Sequence, residues 1–171
     1  AIDNGFQSCL MAPTEILATQ HFNTIEKFLV PLGLKISLLT GSVKTAKRKI
    51  IHENLENGEL HVLVGTHALL EDKVMFKNLG LSVIDEQHRF GVAQRAKLWK
   101  KNIQPPHVLV MTATPIPRTL AMTFYGDLDV SVIDEMPPGR KPINTIHRFD
   151  SSRLKVFQFI ENEIQKGHQV Y

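Results

Sequence analysis

Short apolar runs alternate with longer amphipathic segments along most of this 171-residue chain. The runs have the length of buried strands, and the segments between them carry apolar residues at helical spacing. Strand, helix and strand in this order predict parallel βαβ units with right-handed crossovers, and therefore an α/β fold. We expect strands at 7–12, 34–39, 60–64, 81–84, 108–111 and 130–133. We expect helices after residue 13 and at 42–57, 67–70, 92–101 and 116–125.

In the first helix, apolar positions and one histidine recur at helical spacing and predict the core-facing stripe. These positions are Ile16, Leu17, His21, Ile25 and Phe28.

The composition fits a globular protein with a real core, since 43% of the residues are hydrophobic. No apolar run approaches the roughly 18 residues that a membrane span needs. The single cysteine, Cys9, lies in an apolar run, which predicts a buried core thiol and fits a reducing cytosol. Net charge is +3, and residues 1–139 carry 14 basic and 14 acidic side chains. Nucleic-acid binding must therefore depend on placed groups and not on bulk charge.

The clearest boundary is at residues 136–142, where three prolines and a glycine exclude a helix or a central strand. After it we expect a strand at 143–149, a helix at 151–166 and a strand from 169. The predicted organisation is a first domain at 1–136, a linker at 137–142 and the start of a second domain at 143–171. The chain lacks an initiator Met and opens in mid-pattern, so we expect it to be an interior piece of a longer protein.

Five of the predicted strands are each followed by a short segment that contains a polar residue or a glycine. In a parallel sheet the carboxyl ends of the strands meet at one edge, where ligands bind. We therefore expect these residues to collect there: Pro13, Thr14, Thr40, Gly41, Gly65, Thr66, Asp85, Glu86, Thr112, Ala113 and Thr114.

Asp85 and Glu86 are the strongest chemical candidates at this edge. Two carboxylates at the end of a buried strand are costly unless they meet a cation or hydrogen-bond donors. This placement suits a carboxylate that holds Mg²⁺, for Asp85, and one that polarises the water attacking a nucleotide γ-phosphate, for Glu86. The alternative is a solvated turn. His88 is expected to bond to Thr112 or Thr114 across the strand ends, either to couple nucleotide state to domain movement or as a simple polar pair.

Thr14 and Thr66 each follow a strand and begin a helix. Each hydroxyl is expected to cap its helix, and each helix start can also receive a phosphate of a nucleic-acid backbone. The segment 41–45 looks like the end of a phosphate-binding loop, but Val43 stands where that loop requires glycine. The chain thus carries no such loop, and Lys44, Lys47, Arg48 and Lys49 are interpreted as a solvated basic helix face with possible DNA contact.

Four segments resemble the motifs of the RecG family of ATP-dependent DNA helicases, in superfamily 2. They are the motif Ia-like 11–18, the next DNA-side motif at 64–68, the motif II-like 85–91 and the motif III-like 111–120. The resemblance covers all 171 residues. The sequences at 85–88, 125–129 and 136–140 favour RecG over the translocase module of transcription-repair coupling factors, which is the nearest rival.

The resemblance implies a RecA-like lobe, with helices on both faces of its sheet, and the start of a second RecA-like lobe. It implies ATP and Mg²⁺ as cofactors, with Asp85 and Glu86 catalytic and His88, Thr112, Ala113 and Thr114 coupling. It implies DNA contacts at Pro13, Thr14, Gly41, Gly65 and Thr66.

For the longer protein, the resemblance implies a monomer in the bacterial cytoplasm that remodels forks and Holliday junctions in recombination and repair. The phosphate-binding loop is expected upstream of residue 1, and the arginine finger beyond residue 171. We therefore expect the chain alone to be inactive. A remaining alternative is a DNA-binding module that does not use ATP.

Overall fold

The computed structural model describes residues 1–86, 104–113 and 129–171. The chain divides into two compact units, Ala1–Phe124 and Tyr125–Tyr171. The helices expected at 92–101 and 116–125 lie outside the described residues, and the linker expected at 137–142 stays a prediction.

Five parallel strands form the sheet of the first unit, counted over its described residues, in the order β2-β3-β1-β4-β5. They are β1 (Gln7–Met11), β2 (Ile36–Leu39), β3 (Val62–Gly65), β4 (Leu79–Asp85) and β5 (His107–Met111). Helix α1 (Glu15–Leu29) follows β1, and helix α2 (Thr45–Glu56) follows β2. The parallel α/β architecture is confirmed, and each strand end lies within two residues of its expected position.

Both faces of the sheet carry packed apolar clusters at β1 and β3, as expected for parallel strands, whereas Leu109 of β5 is 52% exposed. Successive side chains of a strand point to opposite faces. In β1, Leu10 packs in one apolar cluster with Ala18 of α1, and Cys9 packs in a second cluster with Leu55 of α2. The prediction of a buried Cys9 is confirmed, because this side chain is 1% exposed.

The expected core stripe of α1 is partly wrong. Ile16 and Phe28 are 73% and 69% exposed. Thr14 caps the helix through Oγ1, which accepts a hydrogen bond from the Leu17 N–H at 3.3 Å. The residues of α1 that face the apolar core are spaced four, three and four positions apart along the helix. These are Ala18, Phe22, Ile25 and Leu29.

The turn from 67 to 70 is a short 3₁₀ helix, His67–Leu70, and the Thr66 side chain makes no capping hydrogen bond to it. The expectation that Thr66 caps a helix is therefore wrong. Helix α2 begins at Thr45 and not at residue 42, since the Ser42 N–H donates to a side chain of α1.

The second unit contains one α-helix within its described residues, α3 (Arg153–Gln165), preceded by a 3₁₀ turn at Asp150–Ser152. It agrees with the helix expected at 151–166. The strands expected at 130–133, at 143–149 and from 169 are absent from this described part of the chain. A strand is stabilised by a hydrogen-bonded neighbour, and these segments pair with no described strand.

Over the residues that the structure describes, no helix is long and apolar enough to cross a membrane.

Candidate functional site

The sequence-predicted site residues that the structure describes lie at the carboxyl edge of the sheet. The strand register brings the exits together, since Met11 pairs with both Gly65 and Ile84, and Asp85 pairs with Met111. His88 and Thr114 lie outside the described residues, so their proposed link stays a prediction. Thr112 and Ala113 are exposed and directly follow β5, next to the end of β4.

Asp85 is the last residue of β4, and two hydrogen bonds hold its carboxylate. The backbone N–H of Glu86 donates to Oδ1 at 2.9 Å. Nε2 of His21, in α1, lies 2.7 Å from Oδ2. The side chains of His21 and Asp85 are 29% and 19% exposed. Each oxygen of an ionised carboxylate has two lone pairs, so both oxygens can still accept from water or bind a cation.

Glu86 has a backbone conformation that is rare for its residue type. Its φ is +51°, in the left-handed region, where it is the one non-glycine residue among those described. Such conformations cost about 1–3 kcal/mol and cluster at functional sites. The Oε2 atom of its carboxylate is buried. Glu86 thus directly follows β4 in a strained backbone conformation, with one carboxylate oxygen buried.

Pro13 and Thr14 connect β1 to α1. Thr14 is exposed and its hydroxyl oxygen is already engaged as the cap of α1. The helix start still presents backbone N–H groups, which is the arrangement that binds phosphates.

The turn after β2 is organised by Glu15, the first residue of α1. Its Oε1 accepts a hydrogen bond from the Ser42 N–H at 3.0 Å. This hydrogen bond first, and then one from the Thr40 hydroxyl, lowers the pKa of Glu15 below its ordinary value. The Gly41 N–H contributes in the same direction. The loop where Gly41 was expected to meet a DNA phosphate therefore already binds an anionic group of the protein.

Arg48 corrects the interpretation of α2 as a solvated basic face. One terminal nitrogen lies 2.9 and 2.8 Å from the two carboxylate oxygens of Glu71. The other donates to the Thr40 carbonyl at 2.9 Å. Arg48 thus joins α2 to the end of β2 and to the turn after β3. Lys44, Lys47 and Lys49 are exposed, as expected.

Gly65 is the last residue of β3 and Thr66 follows it, in a tightly packed part of the structure. A Cβ at Gly65 would lie 2.1 Å from the Leu39 carbonyl oxygen and 2.2 Å from Cδ1 of Leu69. Thr66 is 2% exposed, and its hydroxyl has no hydrogen-bond partner among the described residues. Close packing explains why small residues occupy these positions. Their expected contact with DNA stays a prediction.

Sequence reasoning missed His21, Glu15, Arg48 and Glu71. His21 left one signal, a polar ring at helical spacing in an otherwise apolar stripe. Arg48 gave no signal in the sequence, except that it is the one arginine among the four basic residues of α2 and its N-cap.

A parallel sheet with helices on both faces and an acidic pair at one strand exit is the architecture of a RecA-like motor lobe. A DEAD/DEAH box helicase family model matches residues 1–123. The chain therefore belongs to the DEAD/DEAH box helicase family.

Within this family the similarity is to RecG. The chain is 56% identical to the ATP-dependent DNA helicase RecG of Synechocystis sp. over 171 residues, which is 100% of this chain and 20% of that relative. It is 52% identical to RecG of Aquifex aeolicus, covering 99% of the chain and 22% of the relative. It is 49% identical to RecG of Escherichia coli K12, covering 100% and 25%. The chain thus spans about a quarter or less of these relatives.

The solved structures agree. RecG bound to a three-way DNA junction matches 96% of this chain and 22% of its own, with 43% identity and a TM-score of 0.78. Mycobacterium smegmatis helicase Lhr matches 65% of the chain and 15% of its own, at 16% identity and a TM-score of 0.53, which shows the fold alone. The expected RecA-like fold and the resemblance to RecG are confirmed.

Proposed function

We propose that this chain is part of the motor of an ATP-dependent DNA helicase that remodels branched DNA, as in fork regression and Holliday junction migration. The observation that carries the proposal is Asp85, held by two hydrogen bonds at the carboxyl edge of the sheet with Glu86 beside it. In this proposal residues 1–136 are most of the first lobe, 137–142 the linker and 143–171 the start of the second lobe.

The acidic pair fits the cofactors that the family implies. Mg²⁺ prefers oxygen ligands and is commonly held by one or two carboxylates together with substrate phosphates. Asp85 would bind Mg²⁺ directly or through water, and Glu86 would orient and polarise the attacking water. When bound, Mg²⁺ and ATP supply the charge-neutralising cation and the γ-phosphoryl group. The buried Oε2 of Glu86 supports this role, because a carboxylate oxygen shielded from solvent accepts hydrogen bonds more strongly.

The residues after β5 are proposed to couple the nucleotide site to domain movement. Thr112 and Ala113 directly follow the strand that pairs with β4. With His88 and Thr114 they would form the switch that senses whether a γ-phosphate is present.

The remaining strand exits are proposed to contact the DNA backbone, through Pro13, Thr14, Gly41, Gly65 and Thr66. The N–H groups at the start of α1 support this assignment. The relative whose structure contains a three-way DNA junction supports branched DNA as the partner. We further propose a monomer that acts in the bacterial cytoplasm in DNA recombination and repair.

We propose that the chain alone hydrolyses ATP negligibly. Its sequence contains no Gly-Lys-Thr or Gly-Lys-Ser, so the N–H cradle and the lysine that anchor the phosphates of ATP are missing from it. A colorimetric phosphate assay with and without DNA tests this. A DNA-stimulated turnover that Asp85→Asn abolishes would contradict the proposal.

Activity is tested in a hybrid in which this chain replaces the segment that it matches in the Synechocystis relative. We expect Mg²⁺-dependent ATP hydrolysis that is stimulated by a three-way DNA junction. Glu86→Gln should lower the rate by a factor of roughly 10² or more, the usual range for loss of a general base. Glu56→Gln, an exposed acid at the end of α2, is the matched control.

The hybrid must show a cooperative thermal transition before its rates are compared. A folded hybrid without ATP hydrolysis, or one whose rate Glu86→Gln leaves unchanged, would overturn the motor assignment. DNA binding without hydrolysis and without a nucleotide requirement would favour a binding module.

A further inference from the structure

Within the described part of the chain, His21 supplies the one side-chain hydrogen bond to Asp85 from outside β4. It comes from the second turn of α1, and 64 residues separate it from Asp85 in sequence. An ionised carboxylate only accepts hydrogen bonds, so Nε2 of His21 is the donor to Oδ2. A distance of 2.7 Å is that of a strong, charge-assisted hydrogen bond.

We propose that His21 is a positioning residue for Asp85, and this rests on the proposed role of Asp85 as the Mg²⁺ ligand. The carboxylate is attached through a single bond with only a broad torsional preference, so hydrogen bonds to its oxygens restrict its orientation. The Glu86 N–H holds Oδ1 and His21 holds Oδ2, so the plane of the carboxylate is set by two elements. The lone pairs that remain then point in defined directions.

Direct ligation by His21 fits the geometry poorly. The 2.7 Å contact between Nε2 and Oδ2 leaves no space for a cation between these atoms. Mg²⁺ also prefers oxygen to imidazole nitrogen. His21 therefore acts through Asp85, in the way that outer-shell partners orient a metal-binding carboxylate.

Packing alone accounts poorly for this histidine. The side chain is 29% exposed, whereas the core positions of α1 are filled by apolar residues such as Ala18. An apolar residue would satisfy the packing of a half-buried helix position. The hydrogen bond to the carboxylate is what the imidazole adds.

The test uses the same hybrid with three substitutions in α1. His21→Leu removes the donor, and His21→Gln retains an N–H donor near the position of Nε2. Asn23→Leu, an exposed polar residue two positions further on, is the matched control. Free Mn²⁺ is measured by electron paramagnetic resonance in the presence of a non-hydrolysable ATP analogue, so the readout does not depend on turnover.

We expect His21→Leu to weaken Mn²⁺ binding by about 10- to 100-fold, the range seen when outer-shell partners are removed. His21→Gln should recover most of the affinity, and Asn23→Leu should bind Mn²⁺ like the unsubstituted hybrid. The thermal midpoint of each variant shows whether the fold is intact. Equal Mn²⁺ affinity in folded His21→Leu and the unsubstituted hybrid would overturn the positioning role.

Asp85→Asn separates this inference from the proposed function. If Asp85→Asn abolishes Mn²⁺ binding and His21→Leu leaves it unchanged, only the inference fails. If Asp85→Asn binds Mn²⁺ like the unsubstituted hybrid, Asp85 is not the metal ligand, and the inference falls together with the proposed role of Asp85.

Discussion

Gln7 is buried at the amino end of β1. It thus lies at the edge of the sheet opposite the carboxyl edge that holds the candidate site. Its side-chain amide donates to the carbonyls of Leu55 and Leu60 at 2.9 and 2.7 Å. Its oxygen accepts from the Asn78 N–H at 3.0 Å. A buried amide with three of its hydrogen bonds made is stabilising, whereas leaving its partners unpaired is expensive. One side chain thus joins α2, the turn before β3 and the start of β4.

Replacement of Gln7 by leucine keeps a side chain of similar size and removes all three hydrogen bonds. We expect a loss of about 1–3 kcal/mol in the free energy of unfolding, because three hydrogen bonds are lost and the buried Leu60 carbonyl loses its donor. Urea denaturation of the chain measures it. Gln20→Leu, at an exposed position of α1, is the control. Equal free energies of unfolding for the two variants would show that the hydrogen bonds of Gln7 do not stabilise the fold.

The second residue-scale prediction concerns Gly65. A Cβ there would lie 2.1 Å from the Leu39 carbonyl oxygen, so Gly65→Ala must displace the backbone of β2. Overpacking of this kind costs about 1–3 kcal/mol. At Gly41 an added Cβ would meet only the Glu15 Oε1 atom, at an ordinary 3.5 Å. Thermal unfolding should therefore show a lower midpoint for Gly65→Ala than for Gly41→Ala, and the reverse order would contradict this explanation.

At the scale of elements, polar side chains join the helices to the strand exits. Glu15 connects α1 to the turn after β2, and Arg48 connects α2 to that turn and to Glu71. Because both interactions meet at Thr40–Ser42, this turn has a defined conformation before any ligand binds. A preorganised loop avoids the entropy cost of ordering on binding.

The Glu15 interaction predicts a pH dependence. Hydrogen bonds from Ser42 and Thr40 lower the pKa of Glu15 below its ordinary value of 4.5. The stabilisation is therefore present above pH 4.5 and is lost as the pH falls through the lowered pKa of the folded state. Glu15→Gln should be less stable than the unsubstituted chain at pH 7, and the difference should narrow on acidification. Denaturation at several pH values measures this, with Glu26→Gln as control. A difference independent of pH would contradict it.

At the scale of the whole molecule, the two units differ in how far their residues are shielded from solvent. In the first unit both faces of the sheet carry buried apolar clusters, whereas every described residue from 129 to 150 is exposed. Exposed segments without regular hydrogen bonding are where proteases cut first.

Limited trypsin digestion should therefore cleave after Arg140 before it cleaves after Arg48. Arg48 is held by Glu71 and the Thr40 carbonyl within a helix. Mass spectrometry of the earliest fragments locates the cuts, and Arg140→Gln should remove this early product. Early cleavage after Arg48 with Arg140 intact would contradict the protection inferred for the first unit and would weaken the proposed linker at 137–142.

The alternation of apolar runs and amphipathic segments was enough to predict the parallel sheet and the edge at which Asp85 lies, whereas helices on both faces were implied only by the family resemblance. These features follow from periodicity, which records whether a side chain faces the core. The phase of α1 was misjudged at Ile16 and Phe28, and the strands expected beyond residue 129 were wrong. Periodicity does not record where a helix starts or whether a strand has a neighbour.

Only the tertiary structure decided the strand order and the contacts of the site. His21 with Asp85, Glu15 with Ser42 and Arg48 with Glu71 are separated by 64, 27 and 23 residues. Each forms because parallel register and helix packing bring two polar groups to one edge of the sheet. Local pattern thus determined which residues lie at that edge, and three-dimensional packing determined which of them touch, since hydrogen bonds depend on distances that sequence spacing does not contain.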